Sequence, residues 1–114
     1  MKTTKMLKKN YEFRKVLSKG KYYAGRNIEV FIQKNNKKNN YIGLAISTKV
    51  AKAVTRNKIK RLIRENYKEF EENLENGYNI VFLWRKQSST ENARYNKIKL
   101  DFLEIFNKAN IIKK

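Results

Sequence analysis

Short stretches of the chain carry a two-residue repeat of apolar positions. Within residues 27–34 and again within residues 41–47, isoleucine, valine and leucine recur at every second position. This spacing places the apolar side chains on one face of a strand and predicts two half-buried strands. Residues 78–84 are apolar on both faces, which is typical of a central strand. A short extra strand is expected at residues 22–24.

Longer stretches carry the spacing of an amphipathic helix instead. Helices are predicted at residues 11–19, from about 51 to 74, and from 91 to about 109. Asn10 and Thr90 are the expected N-caps of the first and the last of them. The order α-β-β-β-α-β-α predicts a two-layer α/β (α+β) sandwich in which helices pack on a small mixed sheet.

The length of 114 residues suits one domain and leaves no room for two independent cores. Residues 1–114 are therefore predicted to form a single domain. Residues 1–9 are basic and have no apolar run behind them, so we expect a flexible basic tail and not a secretory signal. No segment reaches the ~18 apolar residues of a membrane span. The expected location is the cytoplasm.

The composition excludes several kinds of chemistry. The chain has no cysteine, no histidine and a single aspartate, Asp101. Without cysteine and histidine there is no disulfide framework, no thiol or imidazole catalyst, and no usual zinc or haem site. A two-metal nuclease needs several converging carboxylates, which one aspartate among scattered glutamates does not easily supply. We expect neither catalytic residues nor a metal site in this protein.

The charge points to a polyanionic partner. The chain has 28 basic and 10 acidic residues, a formal net charge of +18. Such an excess on a small domain is costly in self-repulsion, which a bound polyanion relieves. Nucleic acid is the partner that this charge favours. An anionic membrane surface is the alternative, and it would require a basic amphipathic helix with a broad apolar face left for lipid.

The long helix is the most informative stretch. At about 100° per residue, its apolar side chains gather in one sector and its cations in the roughly opposite one. The apolar sector comprises Ile59, Leu62, Ile63, Tyr67, Phe70 and Leu74, and the cationic sector comprises Asn57, Lys60, Arg61, Arg64 and Lys68. Such a cationic face can reach phosphates and ribose hydroxyls with several donors. The alternative is an ordinary solvated helix face, which the high net charge disfavours.

The run RNKIKRLIR at residues 56–64 closely resembles the Arg-Asn-Arg helix of the protein subunit of bacterial ribonuclease P. Residues 43–54 resemble the strand and turn that lead into that helix, and residues 7–13 resemble the entry to the first helix of the family. The resemblance covers roughly residues 5–110. Lys58 departs from the pattern, because the family usually has arginine there and lysine lacks its bidentate fork.

This resemblance implies a function in which the protein is not the catalyst. In the family, an RNA subunit with bound Mg²⁺ cleaves precursor tRNA to free its mature 5′ end. The implied partners are the ribonuclease P RNA and precursor tRNA, with no membrane and no obligate protein partner. The resemblance also implies a left-handed β-α-β crossover around the basic helix. The implied contacts with the catalytic RNA are Arg56, Asn57, Lys58, Lys60, Arg61, Arg64 and Lys68.

The resemblance further implies a cleft for the 5′ leader between the first helix and the sheet. Its expected residues are Phe13, Leu17, Phe31, Ala45 and Ser47. Small side chains line one face of the 41–47 strand, and Phe31 falls on the polar side of its own strand. This arrangement suits single-stranded RNA, whose bases stack on aromatic side chains. Leu17 stands where many family members carry an aromatic residue. Core packing without RNA is the alternative for both phenylalanines, whereas Phe82 and Trp84 are expected in the core.

Two other functions stay open on the sequence. A small ribosomal RNA-binding protein would explain the charge and size equally well, but not the helix motif or the small-residue strand face. A stand-alone ribonuclease of the basic toxin type could cut with arginine, lysine, tyrosine and glutamate and no histidine. A preference for ribosomal RNA would favour the first function, and RNA cleavage by the protein alone would favour the second.

Overall fold

The computed structural model describes residues 3–113 of the chain. Its strands and helices are β1 (Lys5–Met6), α1 (Asn10–Lys19), β2 (Lys21–Ala24), β3 (Ile28–Lys34), β4 (Tyr41–Leu44), α2 (Ala53–Phe70), β5 (Tyr78–Trp84) and α3 (Tyr95–Ala109). From α1 onward this is the predicted order of elements, and the fold class is confirmed. One element precedes them, because a two-residue strand lies before α1.

The strands form one mixed sheet in the order β1-β4-β5-β3-β2. β3 is antiparallel to its neighbours β2 and β5, whereas β4 is parallel to β1 and β5. Since α2 joins the parallel neighbours β4 and β5, the basic helix is the crossover of a β-α-β unit, as expected. The left hand of this crossover stays a prediction.

The main core lies between the sheet and the helices α2 and α3. The apolar side chains at every second position of β3 point into it, as the two-residue repeat predicts. Phe82 on β5 and Phe102 on α3 are fully buried and stack with ring centroids 5.3 Å apart. Phe82 and Trp84 are thus confirmed as core residues.

A second, smaller core lies on the opposite face of the sheet, under α1. Leu7, Val16 and Val81 are buried there, with Phe13 and Phe31 packed against them. The expected two-layer sandwich is therefore incomplete as a description, because α1 adds a third, smaller layer. Val81 alternates along β5 with Ile80 and Phe82 of the main core, which explains why that strand is apolar on both faces.

The expected flexible tail is wrong for residues 3–9, and Met1 and Lys2 lie outside the described residues. Lys5–Met6 pairs in parallel with the start of β4, and Leu7 is buried. Thr4 is buried too, and its Oγ1 shares a hydrogen bond of 2.7 Å with the hydroxyl of Tyr67. Without this segment β4 would be an open edge strand, and a very short outer strand is one way in which proteins cover such an edge.

Several predicted boundaries shift because side chains compete for the backbone at the ends of elements. α1 begins at Asn10 itself, and Lys9 is its N-cap. The last helix begins at Tyr95 instead of residue 91, because Thr90–Asn92 forms a 3₁₀ turn in which Ser89 Oγ accepts the backbone N–H of Glu91. The prediction of Thr90 as a cap is therefore wrong. α2 ends at Phe70, four residues earlier than expected, and β4 ends at Leu44, three residues earlier than expected.

Candidate nucleic-acid interface

The apolar sector of the long helix is buried as predicted. Ile59, Leu62, Ile63, Tyr67, Phe70 and, beyond the helix end, Leu74 all lie in the main core. Asn66 is fully buried as well, which its polar side chain did not predict. Its Nδ2 donates to the carbonyl of Leu62 at 3.0 Å and to that of Tyr95 at 3.3 Å. This residue therefore ties α2 to the start of α3.

The predicted cations occupy the opposite side of α2, which we call the α2 basic face. Its exposed or half-exposed members are Asn57, Lys58, Lys60, Arg61, Arg64 and Lys68. The first turn of the helix contains no acidic residue. Within residues 3–113, Arg61 alone among these side chains has an ion pair, with Nε 3.7 Å from Glu65 Oε1 and both groups exposed. Exposed pairs of this kind contribute little, so the face stays available to an anionic partner.

A shallow groove of about 520 Å³ runs along this face. It is lined by Val54, Asn57, Lys58, Arg61 and Arg64. Val54 is 82% exposed, an apolar residue among cations that sequence reasoning missed. Its position next to the amide of Asn57 gives the groove an apolar contact for a sugar or base, beside donors for phosphate oxygens.

Arg56 differs from the rest of the predicted set. Its guanidinium Nη1 donates to the carbonyl of Ala51 at 2.7 Å, and its backbone N–H donates to Lys52 at 2.9 Å. The side chain is half-buried. Arg56 therefore helps to hold the turn that enters α2, and only its remaining donors are left for an anionic partner.

The predicted leader-cleft residues lie on the α1 face of the sheet, but the floor of that face is partly filled. A methyl group added at Gly43 would lie 2.7 Å from Cζ of Phe13, so the phenyl ring packs directly on this glycine. The small residue at position 43 therefore serves the docking of α1, and at this point of the small-residue strand face the ring of Phe13 takes the place that was expected for RNA. Phe13 and Leu17 are half-buried in the smaller core.

The open part of this face lies towards β2. Phe31 is half-buried, and the ring of Tyr22, 48% exposed, lies 5.2 Å from it between centroids. Ala45 belongs to the same smaller core. Ser47 lies apart from these residues, in the turn after β4, where its Oγ accepts the backbone N–H of Lys49 at 3.1 Å. The structure thus brings Phe13, Leu17, Phe31 and Ala45 together in the smaller core, whereas Ser47 is exposed in the turn after β4.

Two charged residues beside Tyr22, Glu29 and Arg85, were not predicted as cleft residues. The hydroxyl of Tyr22 donates to Glu29 Oε2 at 2.6 Å. This hydrogen bond is the main reason why the pKa of Tyr22 is raised, and Arg85 acts in the opposite direction. Arg85 in turn donates from Nη1 to the carbonyl of Gly25 at 2.8 Å. The two-residue spacing of Glu29 and Phe31, which places both on one face of β3, was a usable signal, but nothing in the sequence brings Arg85 to this corner.

A second basic surface lies at the start of α1. Its groove, about 550 Å³, is lined by Lys5, Met6, Lys8, Lys9, Tyr11, Glu12 and Tyr41. The ammonium of Lys37 sits 4.9 Å from the ring centre of Tyr41. This surface was missed because residues 1–9 were expected to be a free tail.

Neither a metal centre nor a membrane span is found in the part of the chain that the structure describes. Between residues 3 and 113, no three acidic side chains converge in a way that could hold a metal ion. Over the same residues, no helix combines the length and apolarity needed to cross a bilayer.

The family profile described as Ribonuclease P matches residues 1–110. The chain belongs to the ribonuclease P protein family. The resemblance carried by residues 56–64 is thereby confirmed. A ribonuclease P protein component of Clostridium botulinum (strain Langeland) is 39% identical over 106 residues, which cover 92% of this chain and 94% of that protein. One from Natranaerobius thermophilus is 35% identical over 108 residues, covering 95% and 92%.

Solved ribonuclease P proteins share the fold of this chain. The Staphylococcus aureus protein superimposes with a TM-score of 0.77 at 28% identity, covering 95% of this chain and 97% of that one. The Thermotoga maritima protein gives a TM-score of 0.81 at 25% identity, covering 91% and 96%. The fold class predicted from the sequence is therefore that of solved proteins of this family.

Proposed function

We propose that this ribonuclease P protein binds the catalytic RNA through the α2 basic face and holds the 5′ leader of precursor tRNA in the cleft beside α1. It assists the Mg²⁺-dependent endonucleolytic removal of the leader, and the RNA subunit carries the catalysis. The observation that supports this best is the exposure of Asn57, Lys58, Arg61 and Arg64 along one groove with almost no acidic partners. We place this work in the cytoplasm, with no membrane and no obligate protein partner.

The chemistry of the α2 basic face supports an electrostatic role. Arginine stays protonated at all relevant pH values, so it donates hydrogen bonds and positive charge but does not act as an acid or base. In this proposal the catalytic Mg²⁺ is bound by the RNA subunit. Among residues 3–113, no three acidic side chains converge into a group that could hold a metal ion. The protein offsets repulsion between two RNAs and thereby lowers the Mg²⁺ concentration that cleavage requires.

The leader cleft supports substrate selection. Phe31 and Tyr22 present a tilted aromatic pair, with one ring nearly half exposed, on a sheet face that α1 covers only in part. Bases of a single strand stack on such rings for ~1–3 kcal/mol each, largely without regard to sequence. Because mature tRNA has no leader, these contacts would favour precursor over product.

Reconstitution tests the proposal directly. The protein is mixed with ribonuclease P RNA and precursor tRNA, and leader removal is followed across a Mg²⁺ titration. We expect the protein to shift cleavage to a lower Mg²⁺ concentration. An unchanged Mg²⁺ dependence would contradict the proposal. Cleavage in a control without the RNA subunit would instead indicate a stand-alone ribonuclease, and tighter binding to ribosomal RNA would indicate a ribosomal protein.

A further inference from the structure

Glu29 is an anion on the open face of the sheet in a protein with a net charge of +18. It lies on the same face of β3 as Phe31, two positions away, and its partner across the strand pair is Ala24. The hydroxyl of Tyr22 fixes one carboxylate oxygen, Oε2, at 2.6 Å. The structure leaves the other oxygen, Oε1, without a hydrogen bond to residues 3–113. An oriented acceptor therefore stands beside an exposed aromatic ring.

A carboxylate in this position selects which part of an RNA strand can approach it. Phosphates are repelled by Glu29, so the strand must present a base edge there and its backbone elsewhere. Carboxylate oxygens only accept hydrogen bonds. Cytosine, adenine and guanine offer an exocyclic amino donor. Uracil presents a carbonyl oxygen where cytosine has its amino group and keeps only its ring N–H as a donor on that edge. The acceptor is thus complementary to an amino-bearing base.

Arg85 supplies the matching cation at the same corner. Its Nη1 is held by the carbonyl of Gly25 at the end of β2, and its charge acts on the hydroxyl of Tyr22. Its Nε is buried without a hydrogen-bond partner among the described residues. The guanidinium is therefore fixed in place. Because Nε is enclosed, only the donors on Nη1 and Nη2 that the carbonyl of Gly25 does not take are left to bind a phosphate beside the base.

We propose that Tyr22, Phe31 and Glu29 form a subsite for one unpaired nucleobase with an exocyclic amino group, and that Arg85 binds the adjoining phosphate. This inference rests on the proposed function, because the unpaired strand is the 5′ leader. The site prefers cytosine to uracil, two bases of equal ring size that stack alike and differ at the edge that meets Glu29. Glu29 is thus the residue that sets the base preference of this part of the cleft.

Two precursor tRNAs with unstructured leaders, one of cytosine only and one of uracil only, test the subsite. Their dissociation constants are measured with the holoenzyme and with the RNA subunit alone, and the cytosine preference is the ratio between the two leaders. We expect the holoenzyme to bind the cytosine leader about threefold to tenfold more tightly than the uracil leader, the range expected for one hydrogen bond. The RNA subunit alone should not show this preference.

Matched variants test whether Glu29 causes the cytosine preference. In Glu29→Gln the amide can both donate and accept, so the cytosine preference should fall to less than about twofold. Glu91→Gln removes the same charge from an exposed site in the loop before α3 and should leave the preference unchanged. Tyr22→Phe keeps the ring but loses the hydroxyl that orients Glu29, so it should lower the preference while the leader still binds.

The outcomes separate this inference from the proposed function. Equal binding of both leaders, with precursor still preferred over mature tRNA, overturns the subsite and leaves the proposed function intact. A full cytosine preference in Glu29→Gln, or its equal loss in Glu91→Gln, also overturns the subsite. Loss of all preference for precursor over mature tRNA in the unmodified holoenzyme would overturn the proposed function itself.

Discussion

Asp101, the single aspartate of the chain, holds the turn between β2 and β3 from its place on α3. Its carboxylate accepts the backbone N–H groups of Arg26 at 3.1 Å, Asn27 at 2.8 Å and Ile28 at 3.1 Å. The side chain is 3% exposed, and a methyl group added at Gly25 would lie 2.8 Å from its Cβ. Because the carbonyl of Gly25 in turn holds Arg85, this aspartate indirectly positions one corner of the cleft.

Asp101→Asn should lower the free energy of unfolding by about 2 to 3 kcal/mol. The amide keeps one acceptor oxygen and turns an NH₂ group towards backbone donors, so at least one buried N–H loses its partner. Urea denaturation measures the change. Glu104→Gln, which removes an exposed carboxylate from the same helix, is the control and should change stability by less than about 0.5 kcal/mol. Equal stability of Asp101→Asn and the unmodified protein would contradict the assignment.

Substitutions on the α2 basic face and in the leader cleft should affect different binding steps. Arg61→Ala and Arg64→Ala should each weaken binding to the catalytic RNA by about 1 to 2 kcal/mol, because a charged donor is lost. Phe31→Ala should instead reduce the preference for precursor over mature tRNA. Filter binding with each RNA measures both quantities. Arg94→Ala, an exposed arginine outside the α2 basic face, is the control.

The same binding measurements can contradict the assignment of the leader cleft. If Phe31→Ala weakened the binding of precursor and mature tRNA equally, or weakened neither, the assignment of the leader cleft would be wrong.

Arg56→Ala should lower protein stability, measured by urea denaturation, as well as RNA affinity, since its guanidinium also holds the carbonyl of Ala51. Stability unchanged in Arg56→Ala would show that this hydrogen bond contributes nothing to the turn.

At the scale of elements, α1 depends on contacts at both of its ends. At its start, Glu12 Oε1 accepts the backbone N–H groups of Lys8 at 3.1 Å and Lys9 at 2.9 Å. At its end, the N–H of Gly20 donates to the carbonyl of Val16 at 2.7 Å. The helix then lies on Gly43 through the ring of Phe13. These contacts fix the wall of the leader cleft, so the stability of α1 bears on leader binding.

The N-terminal contact of α1 should depend on pH. The hydrogen bonds from Lys9 and Lys8 hold the pKa of Glu12 below its ordinary value of 4.5. A carboxyl with a lowered pKa in the folded state stabilises the fold above its unfolded pKa, and this stabilisation is lost as the pH falls through the folded pKa. Glu12→Gln should therefore be less stable than the unmodified protein near neutral pH, and the two should converge below pH 4.5.

Thermal unfolding followed by circular dichroism from pH 7 to pH 3 measures this convergence. Glu91→Gln, at an exposed position outside α1, is the control for removal of a carboxylate. A constant difference between Glu12→Gln and the unmodified protein at every pH would show that the titration of Glu12 is not coupled to folding.

At the scale of the whole molecule, the net charge of +18 acts in opposite directions on folding and on binding. In the free protein like charges repel, so added salt should screen them and raise the melting temperature. In the complex, each phosphate neutralised by lysine or arginine releases a counterion, so salt weakens binding. With ~6 phosphate contacts, affinity for the catalytic RNA should fall about a thousandfold between 50 and 200 mM salt.

Thermal denaturation of the free protein and RNA binding are measured over the same salt series. Opposite trends in the two measurements are expected. A nearly salt-independent affinity would contradict an interface built on the α2 basic face. A melting temperature that falls with salt would show that self-repulsion does not limit the stability of the free fold.

Much of the fold could be predicted because its elements have regular apolar spacing. The apolar sector of α2 is buried at every predicted position, and β3 alternates as expected. The family could be predicted from residues 56–64, because that run keeps its spacing of cations and amide. Elements without a regular pattern were missed: β1 is only two residues long, too short for any repeat to be visible.

The leader cleft shows more clearly what could not be predicted from the sequence. The small size of Gly43 was visible in the sequence, but whether RNA or a protein side chain fills the space beside it depends on where α1 lies. Likewise Phe31 was found by its alternation, whereas Arg85 reaches the same corner through a hydrogen bond to a carbonyl 60 positions away. The roles of these cleft residues towards RNA stay predictions.

By itself, the sequence determined the longer elements, the two faces of α2 and the family, because each depends on the spacing of neighbouring residues along a helix or strand. The tertiary structure decided which distant residues meet: Thr4 with Tyr67, Arg85 with Gly25, and the carboxylate of Asp101 with the β2–β3 turn. Such contacts follow from how the helices pack on the two faces of the sheet, and no local pattern encodes that packing.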